Sequence, residues 1–327
     1  MNIVFASDAG YAQHLAVSIA SLLKNTKHDD IQIYIIDGGL SEKSKSKLND
    51  LSSIQACTFH YLIPNSSIFT EATINKSHTV GGKRLKSFSS SAYHRLLIPE
   101  LLENENKAIY LDSDIVVNTD IAELWQQPFG EAAILAVETP VWPDFNENQL
   151  NKLTLTNKKP YFNSVVMLMN LKTLRKKLYT SKSIQIIENY GKNFLCHDQD
   201  VLNIGLKDDW GSLHPKFNVL PEMVDLKNRK FHYYSSKDIQ DAVLKPVVIH
   251  FARRPKPWHY GCVDSRRKEY FTYLNYTQFY DYRIPEPSYK ERIKYYKEYT
   301  GLFLDKILPK SLFQLTRNVW RYCSNQH

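Results

Sequence analysis

The sequence predicts an α/β fold with a mostly parallel central sheet. Three observations lead there. Short apolar runs alternate with helical patterns from the first residues on, as β-α-β-α-β up to Ile63. Hydrophobic residues make up 43% of 327, enough for a sizeable core. No apolar run approaches the roughly 18 residues that would span a bilayer.

The elements follow in order. Residues 2–6, Asn-Ile-Val-Phe-Ala, read as a buried strand. Residues 11–25 carry helical spacing, with Leu15, Ile19, Leu22 and Leu23 on one face. Residues 31–36 form a second strand. Ser41 suits the N-cap of a charged helix reaching about residue 53. Residues 57–63 form a third strand. Ligands in such sheets bind beyond the carboxyl ends of the strands. Residues 64–87 are polar, include Gly81 and Gly82, and make a long connection of the kind that often carries function. A helix over 88–97 ends at Pro99. A strand covers 107–111, with more near 133–137, 162–170 and 246–251. Helices lie near 171–190 and 198–206. From Tyr270 onward the composition shifts to Tyr, Lys and Arg. A main domain over 1–280 and a basic amphipathic segment over 281–327 are expected.

Composition narrows the function. The net charge of +8 could attract nucleotides, nucleic acid or an anionic membrane. No nucleic-acid-binding motif is present and the charge lies late in the chain, so nucleic acid is not an expected partner. No G-x-G-x-x-G follows the first strand, which argues against a dinucleotide-dependent oxidoreductase. Cys57, Cys196, Cys262 and Cys323 are far apart with no C-x-x-C pair, so reduced, mostly buried thiols are expected. The start of the chain has no basic region before Asp8 and does not read as a signal peptide, so a cytoplasmic location is expected.

Asp112-Ser113-Asp114 directly follows the run Ala-Ile-Tyr-Leu. On an extended chain, carboxylates two residues apart point the same way. Together they can hold one divalent ion, and carboxylate oxygens suit Mg²⁺ or Mn²⁺. A solvated turn is the competing reading. Asp198-Gln199-Asp200 repeats the pattern but opens a helix, where an N-cap reading competes.

Further segments stand in order around this pair: Phe5-Ala-Ser-Asp8, Tyr93-His-Arg95, Phe162-Asn163-Ser-Val-Val, His197-Asp-Gln-Asp200, and His250-Phe-Ala-Arg-Arg-Pro-Lys256-Pro-Trp258. The set resembles glycosyltransferase family 8, in particular bacterial galactosyl- and glucosyltransferases that build lipopolysaccharide or lipooligosaccharide. The resemblance runs from Met1 to about Tyr280. It implies a GT-A, Rossmann-like catalytic domain, a UDP-sugar donor and a retaining reaction.

The resemblance also implies roles. Asp8 would bind the uracil and ribose region, unless it only caps a helix. Asp112, Asp114 and His250 would hold Mn²⁺, with Mg²⁺ an alternative. Ser113 and Asn163 would line the donor site. Arg95 would contact the donor, against the simpler reading of a helix-surface ion pair. Lys256 would hold the diphosphate. Asp198 would bind sugar hydroxyls, with Gln199 opposite the departing UDP. A carboxamide is a poor nucleophile, which favours front-side attack over a double displacement. Ser164, Arg253 and Glu138 depart from the family pattern, and Glu138 bears on sugar preference. A glycogenin-like self-glucosylating enzyme and a non-catalytic nucleotide-binding protein are the alternatives. Residues 302–322 mix Leu, Phe, Ile and Trp with Lys306, Lys310, Arg317 and Arg321. They are expected to attach the enzyme to the inner face of an anionic membrane, where a lipid-linked saccharide acceptor would lie, or else to pack on the domain.

Overall fold

The computed structural model describes residues 1–65, 79–80, 83–84, 90–140, 147–156, 160–224, 231–289, 291–293 and 295–296. Gly81, Gly82, Cys323 and the segment 302–322 lie outside them. By internal contact the chain divides into two units: Met1–Ala252 with Lys268–Asp281, and Arg253–Arg267 with Tyr282–His327.

The first unit is built on strands β1 (Asn2–Ser7), β2 (Gln32–Asp37), β3 (Thr58–Leu62), β4 (Lys107–Leu111), β5 (Ile115–Val117), β6 (Ile134–Thr139), β7 (Tyr161–Asn170), β8 (Trp210–Ser212) and β9 (Val248–His250). Seven of them form one sheet in the order β8-β6-β7-β4-β1-β2-β3. The ladders β1–β2, β2–β3, β1–β4 and β6–β8 are parallel. β7 runs antiparallel to both β4 and β6. The sheet is therefore mixed and mostly parallel.

Both faces are covered, and the strand period shows it. Ile3 and Phe5 of β1 join one apolar cluster with Leu15, Ile19 and Leu22 of helix α1 (Ala12–Asn25). Val4 joins the other, with Tyr110 and residues of several later helices. Alternate side chains of one strand thus anchor opposite layers. Ser41 caps helix α2 (Glu42–Asn49) by accepting a hydrogen bond from Ser44 N.

Two expectations change. Helix 171–190 breaks into α3 (Leu171–Lys176) and α4 (Tyr179–Tyr190), because Leu178 adopts φ 52°. Pro99 does not end a helix. Residues Ser90–Leu97 form a 3₁₀ helix, and Pro99 stands in the first turn of the short helix Ile98–Leu101, where its missing N–H costs nothing.

The reversed strand matters for the site. In a parallel sheet every strand brings its carboxyl end to the crevice. β7 instead brings its beginning, so Asn163 and Ser164 stand where β4 ends, and Asp112 N donates to Val165 O at 3.1 Å. A separate two-stranded ladder pairs β9 with β5 and sets His250 opposite Ile115.

Candidate active site

Asp112-Ser113-Asp114 is a turn between β4 and β5, not extended chain as the sequence suggested. The alternation survives: Asp112 and Asp114 stay partly exposed while Ser113 is buried. Ser18 Oγ of α1 pins the turn by donating to Ser113 O and Ile115 O. Ser113 Oγ is buried and has no hydrogen-bond partner among the described residues.

Four other parts of the chain meet this turn. From the β9 ladder, His250 places Nε2 3.7 Å from Asp114 Oδ1, and Phe251 N donates to Asp114 O at 3.0 Å. From the 3₁₀ helix, Arg95 reaches Asp112 Oδ1 through Nη2 at 2.9 Å and Asp198 Oδ2 through Nε at 3.1 Å. Its Nη1 donates to Ser164 O and Oγ, and its guanidinium lies 4.7 Å from the Tyr110 ring centre. From helix α5 (Asp198–Gly205) come Asp198 and Gln199. Gln199 Oε1 accepts from Asn163 Nδ2 at 3.2 Å and from Ser164 N at 3.1 Å, both on β7.

The two D-x-D patterns behave differently because one lies in a turn and the other on a helix. Asp198 faces Arg95. Asp200 turns away: its carboxylate accepts from Leu195 N, Cys196 N and Tyr161 OH, and so closes the loop before the helix. His197 enters α5 at φ 50° and ψ −116°, a left-handed conformation costly for any residue with a Cβ. That backbone turn precedes the two residues that face the site.

The remaining expected residues are placed as follows. Asp8 accepts from Gly10 N at 3.0 Å, so the capping reading holds for its Oδ1. Lys256 belongs to the second unit, where it is buried and its N–H donates to His259 Nδ1. Glu138 is fully buried. Its carboxylate accepts from His232 N and Tyr233 N and lies 2.7 Å from His232 Nδ1. It therefore anchors a connection. Ser164, where a glycine was expected, uses its hydroxyl on Arg95. The sequence reading missed Tyr110, whose OH donates to Asp112 Oδ1 at 2.5 Å, and Asn218, which is fully buried beside His250. Among the described residues, Cys57, Cys196 and Cys262 form no disulfide and are half-buried, less enclosed than expected.

The sequence model described as Glycosyl transferase family 8 matches residues 2–262. The chain belongs to glycosyl transferase family 8. General stress protein A of Bacillus subtilis is 30% identical over 284 residues, covering 85% of this chain and 94% of that one. A lipopolysaccharide 1,2-glucosyltransferase of Escherichia coli K12 is 26% identical, over 83% of this chain and 76% of that one. A crystal structure of the galactosyltransferase LgtC with donor and acceptor sugar analogues superposes with a TM-score of 0.73 at 23% identity, over 90% of this chain and 100% of that one. That likeness gives the fold, which is GT-A.

The electrostatics of this family 8 site follow from burial around a few charges. Burial raises the Asp112 carboxyl above its ordinary value; Arg95 opposes the rise and Asp114 adds to it. Burial likewise pushes Asp198 up to about 6, against the pull of Arg95. Burial works against the Arg95 cation too, but Asp112 and Asp198 outweigh it. Among the described residues, no three His, Cys, Asp or Glu side chains are gathered as tightly as a bound ion would hold them. The donor types nevertheless fit a hard divalent ion: two carboxylates, and an imidazole whose Nδ1 is engaged by Asn218 while Nε2 faces Asp114.

Proposed function

We propose that this chain is a retaining glycosyltransferase that moves a hexose from a UDP-sugar to a saccharide acceptor of a bacterial surface glycan, with galactose favoured and glucose next. One observation carries the reading. Arg95 ties Asp112 to Asp198, so the turn suited to a metal diphosphate and the residues suited to a sugar belong to one connected centre. The lipopolysaccharide glucosyltransferase and the LgtC galactosyltransferase among its relatives support the substrate class.

Asp112, Asp114 and His250 would hold Mn²⁺ or Mg²⁺. Such an ion, when bound, neutralises charge on a departing diphosphate. Lys256 would bind the diphosphate as a point cation, and Asp8, Ser113 and Asn163 would line the donor. Asp198 would accept hydrogen bonds from sugar hydroxyls. Gln199 Oε1 already accepts from Asn163 and Ser164, which lowers its nucleophilicity further. That supports front-side attack, with the acceptor hydroxyl and UDP on one face and the departing phosphate oxygen taking the proton. We also place the enzyme at the inner membrane surface, on the strength of the cations and apolar residues in 302–322.

Slow hydrolysis of candidate donors to UDP tests the reading without knowledge of the acceptor. UDP-galactose or UDP-glucose should be cleaved in a chelator-sensitive manner. Asp112→Asn and Asp114→Asn should lose nearly all of it while still folding. Full hydrolysis in excess chelator, or full activity of both variants, would remove the metal assignment. Inverted product stereochemistry would remove the retaining mechanism.

A further inference from the structure

Two buried carboxamides, the partly buried carboxamide of Gln199 and an imidazole form a line through the first unit, and main-chain donors decide its direction. A backbone N–H can only donate. Val165 N lies 3.2 Å from one end of the Asn163 carboxamide, and that end must be Oδ1. Ser164 N lies 3.1 Å from one end of the Gln199 carboxamide, which must be Oε1. Asn163 then turns Nδ2 towards Gln199 Oε1, at 3.2 Å. The Asn218 group 2.8 Å from Asn163 Oδ1 has to be a nitrogen. That leaves Asn218 Oδ1 facing His250 Nδ1 at 3.1 Å. An amide oxygen only accepts, so Nδ1 bears the proton in the neutral ring and Nε2 keeps its lone pair. Nε2 is the atom turned towards Asp114.

We propose that Asn218 is a positioning residue: it fixes the tautomer and plane of His250 and joins it, through Asn163, to Gln199. The proposal deepens the metal-dependent transferase reading and rests on it. Asn218 is 0% exposed and His250 3%, so bulk water does not compete for these bonds. A ring nitrogen can serve a cation only with its lone pair free, and the bond made by the other nitrogen selects which one that is. Free neutral histidine favours the proton on Nε2, the tautomer unsuited to this site. Asn218 reverses that preference with no charge of its own. Its other end holds Asn163 Oδ1, and Asn163 holds Gln199. One side chain therefore sets the orientation of groups at both ends of the site.

The test reads the tautomer directly, in metal-free protein, by two-bond ¹H–¹⁵N correlation of ¹⁵N-histidine-labelled samples. His250→Gln identifies the His250 signals. Wild type should show a protonated Nδ1 and a bare Nε2. Asn218→Leu should shift the population towards a protonated Nε2 and weaken Mn²⁺ binding by about 10- to 100-fold. Asn218→Asp keeps an acceptor for His250 but sets an oxygen against Asn163 Oδ1. It should retain the tautomer while kcat falls more than donor affinity does. Should the Leu variant fail to fold, wild type and the Asp variant still carry the tautomer reading. A protonated Nε2 in wild type that binds Mn²⁺ overturns the role of Asn218 alone. So does an Asn218→Leu protein with unchanged tautomer and Mn²⁺ affinity. A protonated Nδ1 in wild type that binds no Mn²⁺ defeats the metal reading instead, and with it the reason for the positioning.

Discussion

Burial holds the Asp198 carboxyl at a pKa of about 6, where an unperturbed one titrates near 3.8. The folded state thus binds this proton more tightly than the unfolded chain. The resulting contribution favours the fold fully below about pH 3.8 and is lost as pH rises through about 6. Asp198→Asn does not titrate, so it should gain on wild type across that window. At pH 8 the gain should be about 1–3 kcal/mol, vanishing near the acid end. Urea melts at both ends check it, and a gain independent of pH would show that ionisation is not the cost. Transfer by the same variant should fall sharply, since the charge facing Arg95 is gone. At this scale order and spacing in the sequence picked out residues that the structure brings near one another. Asp112, Asp114, Asn163, Asp198, Gln199 and His250 all stand within one connected centre. Asn218 left no such signal. It stands in an ordinary Lys-Phe-Asn-Val stretch, and its two partners are remote in sequence.

Among the elements, the connection at 231–234 hangs on β6. The Glu138 carboxylate accepts from His232 N and Tyr233 N, and Tyr234 OH accepts from Glu138 N while donating to Leu213 O. Glu138→Gln would turn an amide NH₂ towards donors that need an acceptor. A loss of about 1–3 kcal/mol is expected, with faster proteolysis near His232. An unchanged urea midpoint would show that the carboxylate is replaceable there. Strand and helix patterning located β1, β2, β3 and α1 almost to the residue, because short apolar runs bounded by polar residues mark the strands and Leu15, Ile19, Leu22 and Leu23 keep a helical spacing. The direction of β7 was not legible, since an apolar run reads alike in a parallel or antiparallel ladder. β8 was missed because Trp210-Gly211-Ser212 looks like a turn. A Cβ on Gly211 would fall 2.6 Å from Leu135 Cδ2, so a larger residue there obliges the Leu135 side chain to shift. The break at Leu178 was hidden, because nothing in its side chain marks a left-handed backbone.

For the whole molecule, two measurements separate the donor site from the proposed attachment to membrane. Mn²⁺ and UDP together should raise Tm more than either alone, because the residues proposed to bind them are spread from Asp8 to Lys256 and would bind only when all are folded. Equal shifts with and without Mn²⁺ would count against a shared site. A chain ending at Gly301 loses Lys306, Lys310, Arg317 and Arg321. It should leave anionic vesicles yet hydrolyse donor as before, and transfer to a lipid-borne acceptor should suffer more than transfer to a soluble oligosaccharide. Vesicle binding that ignores salt, or that survives the truncation, would favour packing of 302–322 on the domain.

The β5–β9 ladder sets a ruler inside this arrangement. His250 pairs with Ile115, the neighbour of Asp114, so the spacing of imidazole and carboxylate is written in rungs of main-chain hydrogen bonds. The long stretch of chain between them bears on that spacing only where it packs against the ladder, as Asn218 and Val219 do. Insertions or deletions in loops along that stretch can change their surface while the ladder keeps its register. The outline of those loops and the separation of Ile115 from His250 are thus independent of each other, because only the second is set by the ladder.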